Sequence, residues 1–232
     1  MLKFYTAALA ALAAFVGAAS AQFSVSPLNL ELEPAGGTAT LIVTNTKPTQ
    51  LALEVGAERR EVGPDGEAIT TEASEEFAIF PPLALVQPGA SQTVRIQYVG
   101  DRDGPDVGYY SLVVRDTNAT RPEDASGSGV AVQFTYTLGM SVSMADTAPA
   151  VSVTSATSTP DGLVIEVAND GNRHAVLTRA KMQAIYDGEA VPVTEYGFLG
   201  FSLLNAGERR TFTVPTSVFG ERGQPDGYAF VY

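Results

Sequence analysis

The sequence predicts an all-β protein made of two tandem β-sandwich domains. Three observations carry that reading. Short apolar segments rich in β-branched residues alternate with turn-forming stretches such as PAGG, GPDG, QPGA, TPDG, YDG, NAGE and QPDG. No stretch of ten or more residues shows the 3.6-residue apolar period of a helix. One pattern also occurs twice in the same order. TLIVTNTKPTQLALEV is followed by LVQPGASQTVRI, and LVIEVANDGNRHAVLTRAKM is followed by LLNAGERRTFTV. Asn45 and Gly89 lie 44 residues apart in the first copy, and Asn169 and Gly207 lie 38 apart in the second. Many short strands with regular turns indicate sandwiches.

The elements follow in chain order. MLKF, with its positive Lys3, leads into the apolar run AALAALAAFVGA and the small-residue site ASA. Residues 1–21 therefore read as a secretory signal peptide, with cleavage expected after Ala21; the run is too short to span a bilayer. SVSPLNLELE alternates at Leu28, Leu30 and Leu32. TATLIVTN reads as a buried strand, and LALEVGA alternates at Leu51, Leu53, Val55 and Ala57. FAIFPPLALVQPGASQTVRI contains the diproline Pro81–Pro82, a candidate for a cis bond. GYYSLVVRD precedes the longest pattern in the chain, VAVQFTYTLGMSVSM, residues 130–144.

In that stretch apolar side chains take every second position: Val130, Val132, Phe134, Tyr136, Leu138, Met140, Val142 and Met144. Small or polar residues lie between, and there is no charge and no proline. At about 3.3 Å per residue the run extends about 50 Å, more than twice a usual strand. Proteins ordinarily break such an edge with Lys, Pro or bulges, because it recruits other chains. The stretch is expected to close a first domain, residues 22–144. A boundary at ADTAPA then opens a second, residues 145–232.

Composition narrows the function. The chain has no cysteine, so an exported protein of this kind is stabilised by core burial alone. A net charge of −12 argues against nucleic acid and anionic membrane surfaces as partners. No segment after residue 21 is apolar enough for membrane insertion. Enzymatic constellations are missing: there is no GxSxG, no HExxH and no cysteine nucleophile. The single histidine, His174, reads as structural or solvated. DRDGPD lacks the length and ligand order of a calcium loop and reads as a solvated turn. Asn118 heads an NAT sequon to which no role is given, and Arg209–Arg210 reads as an exposed strand face. No enzyme, cofactor or metal is expected.

Four segments resemble the periplasmic pilus-assembly chaperones of the chaperone–usher pathway. SPLNLEL…TATLIVTN looks like their opening hairpin. FAIFPPLALVQPGASQTVRI looks like their diproline motif with its Arg-Ile strand. GYYSLVVRD with the alternating strand looks like the last hairpin of their first domain, and NDGNRHAVL like the start of their second. The resemblance implies an all-β fold of two tandem immunoglobulin-like β-sandwich domains, and a periplasmic chaperone that binds a pilin-like subunit by donor-strand complementation and delivers it to an outer-membrane usher. Such a subunit lacks its last strand. The chaperone's strand fills the groove with main-chain hydrogen bonds while alternate side chains occupy pockets. The implied subunit-binding residues are Val130, Val132, Phe134, Tyr136 and Leu138, with Asn29 in the cleft. Burying four such side chains would yield roughly 6–12 kcal/mol gross, before the costs of association. In the free protein the edge is expected to be masked by a client or by self-association. The alternative is a structural or accessory protein of a surface appendage that keeps the fold without chaperone activity.

The chain departs from the family at the cleft. The resemblance implies two basic residues that hold the client's C-terminal carboxylate, one on the first strand and one in the second half of the long strand. Here those places fall on Asn29 and near Gly139. No Lys or Arg occurs in residues 22–46 or 130–145. Asn29 donates a hydrogen bond but lacks the charge that makes carboxylate binding strong. The client is then held by the strand alone, or by another basic residue such as Arg115 or Arg173, or the protein no longer serves pilins.

Overall fold

A computed structural model of the chain describes residues 22–63, 66–101, 106–118 and 133–231. The signal-peptide reading, Val130, Val132 and most of DRDGPD lie outside these residues. The first half forms β1 (Phe23–Ser26), β2 (Asn29–Leu32), β3 (Thr38–Asn45), β4 (Leu51–Val62), β5 (Ala68–Glu72), β6 (Phe77–Phe80), β7 (Leu83–Val86), β8 (Ser91–Tyr98), β9 (Asp106–Asp116) and β10 (Thr135–Ser143). One sheet runs β1-β3-β8-β6, and the facing sheet runs β2-β10-β9-β4-β5, with β7 also paired to β4. The second half forms β11 (Val151–Thr159), β12 (Gly162–Asn169), β13 (Ala175–Val176), β14 (Lys181–Tyr186), β15 (Glu189–Pro192), β16 (Leu203–Leu204), β17 (Arg209–Pro215) and β18 (Gly227–Val231). Its sheets run β11-β12-β17, β13-β16 and β15-β14-β18.

Alternation sets which side chains go inside, because successive residues of a strand point to opposite faces. Leu41 and Val43 of β3 meet Val94, Ile96 and Tyr98 of β8 and Leu51, Leu53, Val55 and Ala57 of β4 in one core. Leu163, Ile165 and Val167 of β12 and Phe212 and Val214 of β17 build a second, separate core. The architecture is the expected pair of immunoglobulin-like sandwiches. At the rim of the first core Glu76 accepts from Tyr110 Oη at 2.8 Å and from Arg59 Nη2 at 2.7 Å. Burial first, and then the bond to Glu76, pushes the Tyr110 phenol well above its ordinary value, so it stays neutral and donates.

The repeated pattern in the sequence marks the same corner in each sandwich. Asn45 and Asn169 are fully buried. Gly89 N donates to Asn45 O at 3.0 Å, and Gly207 N donates to Asn169 O at 2.8 Å. Asn45 Nδ2 reaches Thr49 O and Val86 O, both at 2.9 Å, and its Oδ1 accepts from Lys47 N. Asn169 Nδ2 reaches Arg173 O at 2.8 Å and Leu204 O and Asn205 O at 3.2 Å. Asn169 Oδ1 accepts from Gly171 N at 3.2 Å and from Ala150 N at 3.0 Å. Each amide satisfies backbone groups that a sheet corner leaves without ladder partners.

One local expectation is met and another is revised. The peptide bond before the diproline, Phe80–Pro81, is cis, as is Ser26–Pro27. Arg209 and Arg210 do not share an exposed face. Arg209 points out to Glu166 and Asp170. Arg210, one residue on, shares the inward parity of Phe212 and donates to Phe201 O at 3.0 Å and Leu203 O at 2.7 Å.

Replacing Asn169 with Ala leaves several buried backbone groups without partners, each costing about 1–3 kcal/mol. The second sandwich is expected to lose at least about 2 kcal/mol in denaturant unfolding; a loss within experimental error would show that water replaces the amide.

Candidate functional site

The site is built on β10 and on the outward face of its sheet. β10 pairs with β9 along its whole length, from Thr135 opposite Arg115 to Ser143 opposite Asp106. On its other side β2 runs parallel and pairs only with Gly139, Met140, Ser141 and Val142. Among the described residues no strand pairs with residues 135–138 on that side. Their backbone donors and acceptors form an edge with no charge or proline to guard it.

The side chains of this segment grade from rim to interior. Phe134 and Tyr136 are half-buried and pack against the first core. The Tyr136 ring meets Phe23 edge-on at 4.8 Å, and its hydroxyl donates to Phe23 O at 2.9 Å. Leu138 is 2% exposed, as deep as Met140 and Val142. It belongs to the core and has no free surface to offer a partner, because the inner parity of β10 dives between the two sheets at this point. Thr135 and Thr137, of opposite parity, are exposed.

Further along β10 the outward residues Ser141 and Ser143 are buried as well. The second sandwich lies over Ser141. His174 Nε2 is 3.1 Å from Ser141 Oγ, and its ring stands 5.5 Å from Tyr109. His174, 3% exposed, is thus a structural contact between the two halves rather than a solvated turn residue. Arg173 approaches Glu31 at 3.9 Å. Arg115 lies on the same outward face farther along β9, opposite Thr135, and pairs with Glu58 at 3.3 Å.

The cation absent from the first sandwich is delivered by the second. Arg179, in the turn between β13 and β14, donates from Nη2 to Asn29 Oδ1 at 2.6 Å and to Tyr109 Oη at 3.5 Å. Its guanidinium lies 5.5 Å from the Tyr109 ring centroid. A Cβ placed on Gly139 would meet Arg179 Nη2 and Tyr109 Oη at 2.3 and 2.4 Å, with Asn29 Oδ1 at 3.2 Å. Asn29 and Gly139, partners in the β2–β10 register, thus form the floor on which Arg179 rests. Reading along the chain favoured Arg115 and Arg173 and missed Arg179. Its only local signal was a basic residue in TRAKM, 150 positions from Asn29.

No family model matches the chain, and no curated protein matches it in sequence. Solved structures do match it. A chain of the Salmonella enterica SafA pilin–SafB chaperone complex gives a TM-score of 0.57 at 13% identity, covering 92% of this chain and 97% of its own. The E. coli chaperone DraB gives 0.55 at 14% identity, covering 83% and 86%. A chain of the CsuC–CsuE chaperone–tip adhesion subunit complex from archaic Csu pili of Acinetobacter baumannii gives 0.53 at 14%, covering 84% and 91%. The chain has the fold of these fimbrial chaperones.

Substituting Gly139 with Ala forces aside the Arg179 guanidinium and the Tyr109 hydroxyl, both far ends of flexible side chains. The variant is expected to fold with a loss of about 1–3 kcal/mol and to release Arg179 from Asn29. Melting and the Arg179 Nε–H resonance read the two effects; an unmoved resonance would place Arg179 elsewhere in solution.

Proposed function

We propose that this protein is a non-enzymatic periplasmic chaperone that binds a pilin-like subunit by donor-strand complementation and hands it to an outer-membrane usher. The observation that carries the reading is the open edge of β10 at residues 135–138. It continues an uncharged, proline-free segment whose apolar residues fall at period two. An incomplete sandwich pairs with such an edge through main-chain hydrogen bonds and takes alternate side chains into its own core. The lent side chains are Val130, Val132 and Phe134, with Tyr136 at the inner end; Leu138 stays in the chaperone. The two domains span residues 22–144 and 145–232, and the apolar leader at residues 1–21 directs export. The fold shared with fimbrial chaperones supports the same reading.

In this reading the client's C-terminal carboxylate lands on Arg179, with Asn29 and Tyr109 beside it. A guanidinium binds a planar carboxylate through paired N–H donors. The anchor implied by the family resemblance is kept, but its cation comes from the other domain. Amidating the client's C-terminus, or replacing Arg179 with Ala, is expected to weaken binding about 10–100-fold, the effect of a hydrogen bond to a charged group worth about 1.5–3 kcal/mol. Unchanged affinity in titration calorimetry would leave the strand as the sole contact.

One observation favours the second reading, an appendage protein without chaperone activity: Phe134 and Tyr136 already rest on their own core. Replacing Phe134 with Asp separates the two readings. If the strand is lent, a half-buried rim position tolerates the charge with a fall in melting temperature of up to about 8 °C, or about 1–2 kcal/mol. Binding to the co-expressed subunit is then abolished, since the carboxylate enters an apolar pocket unpaired. A folded variant that still co-purifies with its subunit would sink donor-strand binding.

A further inference from the structure

We infer that Arg60 is the centre of a second anion site in the seam between the sandwiches, separate from the Arg179 position, and that its ligand is a carboxylate. Arg59 and Arg60 are neighbours on β4 and point to opposite faces. The donors of Arg59 are used inside the first sandwich, on Glu76 and on Val107 O. Arg60 faces the second sandwich, with its guanidinium 5.0 Å from the Phe201 ring centroid. Phe201 is held in place by its own carbonyl, which accepts from Arg210. Arg60 Nε is shut off from solvent and has no hydrogen-bond partner. Arg60 makes no hydrogen bond or ion pair with any described residue, whereas Arg59, Arg115, Arg173, Arg209 and Arg210 each face a carboxylate.

This cation borders a cavity of about 690 Å3, walled by Val107 and Tyr109 of β9 and by Asn172, Asn205 and Ala206 of the second sandwich. The volume is that of a binding pocket rather than a packing void. One carboxylate, Glu61, stands at its mouth; it is exposed and forms no ion pair with Arg60. On a chain of net charge −12, a sheltered cation with spare donors draws negative ligands into the seam. The other guanidinium on the wall, Arg59, is already neutralised by Glu76, so Arg60 offers a single unspent positive charge, and its planar fork suits a singly charged bidentate carboxylate better than a doubly charged phosphate. Stacking on Phe201 fixes the fork before the ligand arrives.

The test needs no client, so its outcome is independent of the donor-strand reading. Blocked glutamate (N-acetyl, N-methylamide), blocked glutamine and an extended blocked peptide alternating valine with one central glutamate are titrated into the full mature chain. The Arg60 Nε–H and Tyr109 ring resonances are followed by NMR. A saturable shift is expected with both acidic probes, and no shift with glutamine. In R60M the Tyr109 response disappears while the melting temperature holds. R60K serves if R60M does not fold, and is expected to bind at least tenfold more weakly because it lacks the fork. Response to glutamine, response retained in the Arg60 variants, or no response to either acidic probe would overturn the site.

Discussion

The amide of Asn169 ties the second sandwich to the first. Its nitrogen closes the corner between β12 and the β16–β17 turn through Leu204 and Asn205, while its oxygen takes the N–H of Ala150 in the connecting segment. Ala150 O in turn accepts from Asp170 N, and Ala148 O accepts from Asn172 N. The connector is laced to the same turn that carries Arg173 and His174. Gly171 sits beneath it, where a Cβ would meet Ala148 O at 2.4 Å and Ala150 N at 2.5 Å. A rigid connector fixes where the second sandwich meets the outward face of β10 and β9. The placement of His174 over Ser141 and of Arg179 on Asn29 follows from it.

That placement changes the electrostatics of the seam. To this seam the outward parity of the sheet supplies Asn29, Glu31, Arg60, Tyr109, Ser111, Gly139 and Ser141, of which Arg60 is the single cation. The second sandwich brings Arg173 and Arg179. Arg173 is offset by Glu31; Arg179 rests on neutral Asn29 and on the face of Tyr109. An acidic molecule thus keeps two cations without carboxylate partners along one seam. Coulomb attraction is stronger there than on the open surface, because the walls exclude water.

The edge of β10 is a compromise between exposure and solubility. An uncharged edge invites pairing with other chains, and charge or proline would end its use as a lent strand. Here the inward parity is partly covered by the chain itself: Tyr136 leans on Phe23 and ties its hydroxyl to the β1 backbone, while Leu138, Met140 and Val142 anchor the strand in the core. The anchored half holds direction and register, leaving the backbone edge at residues 135–138 open.

Much of this was legible in the sequence, because period-two alternation, turn residues and repeats are local signals whose physics is the same in any fold. Alternation identified β2, β4 and β10, a run of β-branched residues identified β3, and the Asn…Gly spacing marked two corners that prove to be hydrogen-bonded equivalents. Absence of charge in residues 130–144 singled out the strand with the open edge. What the sequence could not decide is what the second sandwich covers. Ser141 is a small polar residue of the outward parity, yet it is buried because His174 of the second sandwich lies against it. Leu138 read as part of the alternating face; its depth is set by the opposing sheet. Arg179 carried no local pattern linking it to Asn29, and Arg60 none linking it to Phe201. Contacts between surfaces far apart in sequence depend on the angle at which two domains are held. That angle is fixed by the buried Asn169 corner and the Gly171 close approach, which exist only once the chain has folded.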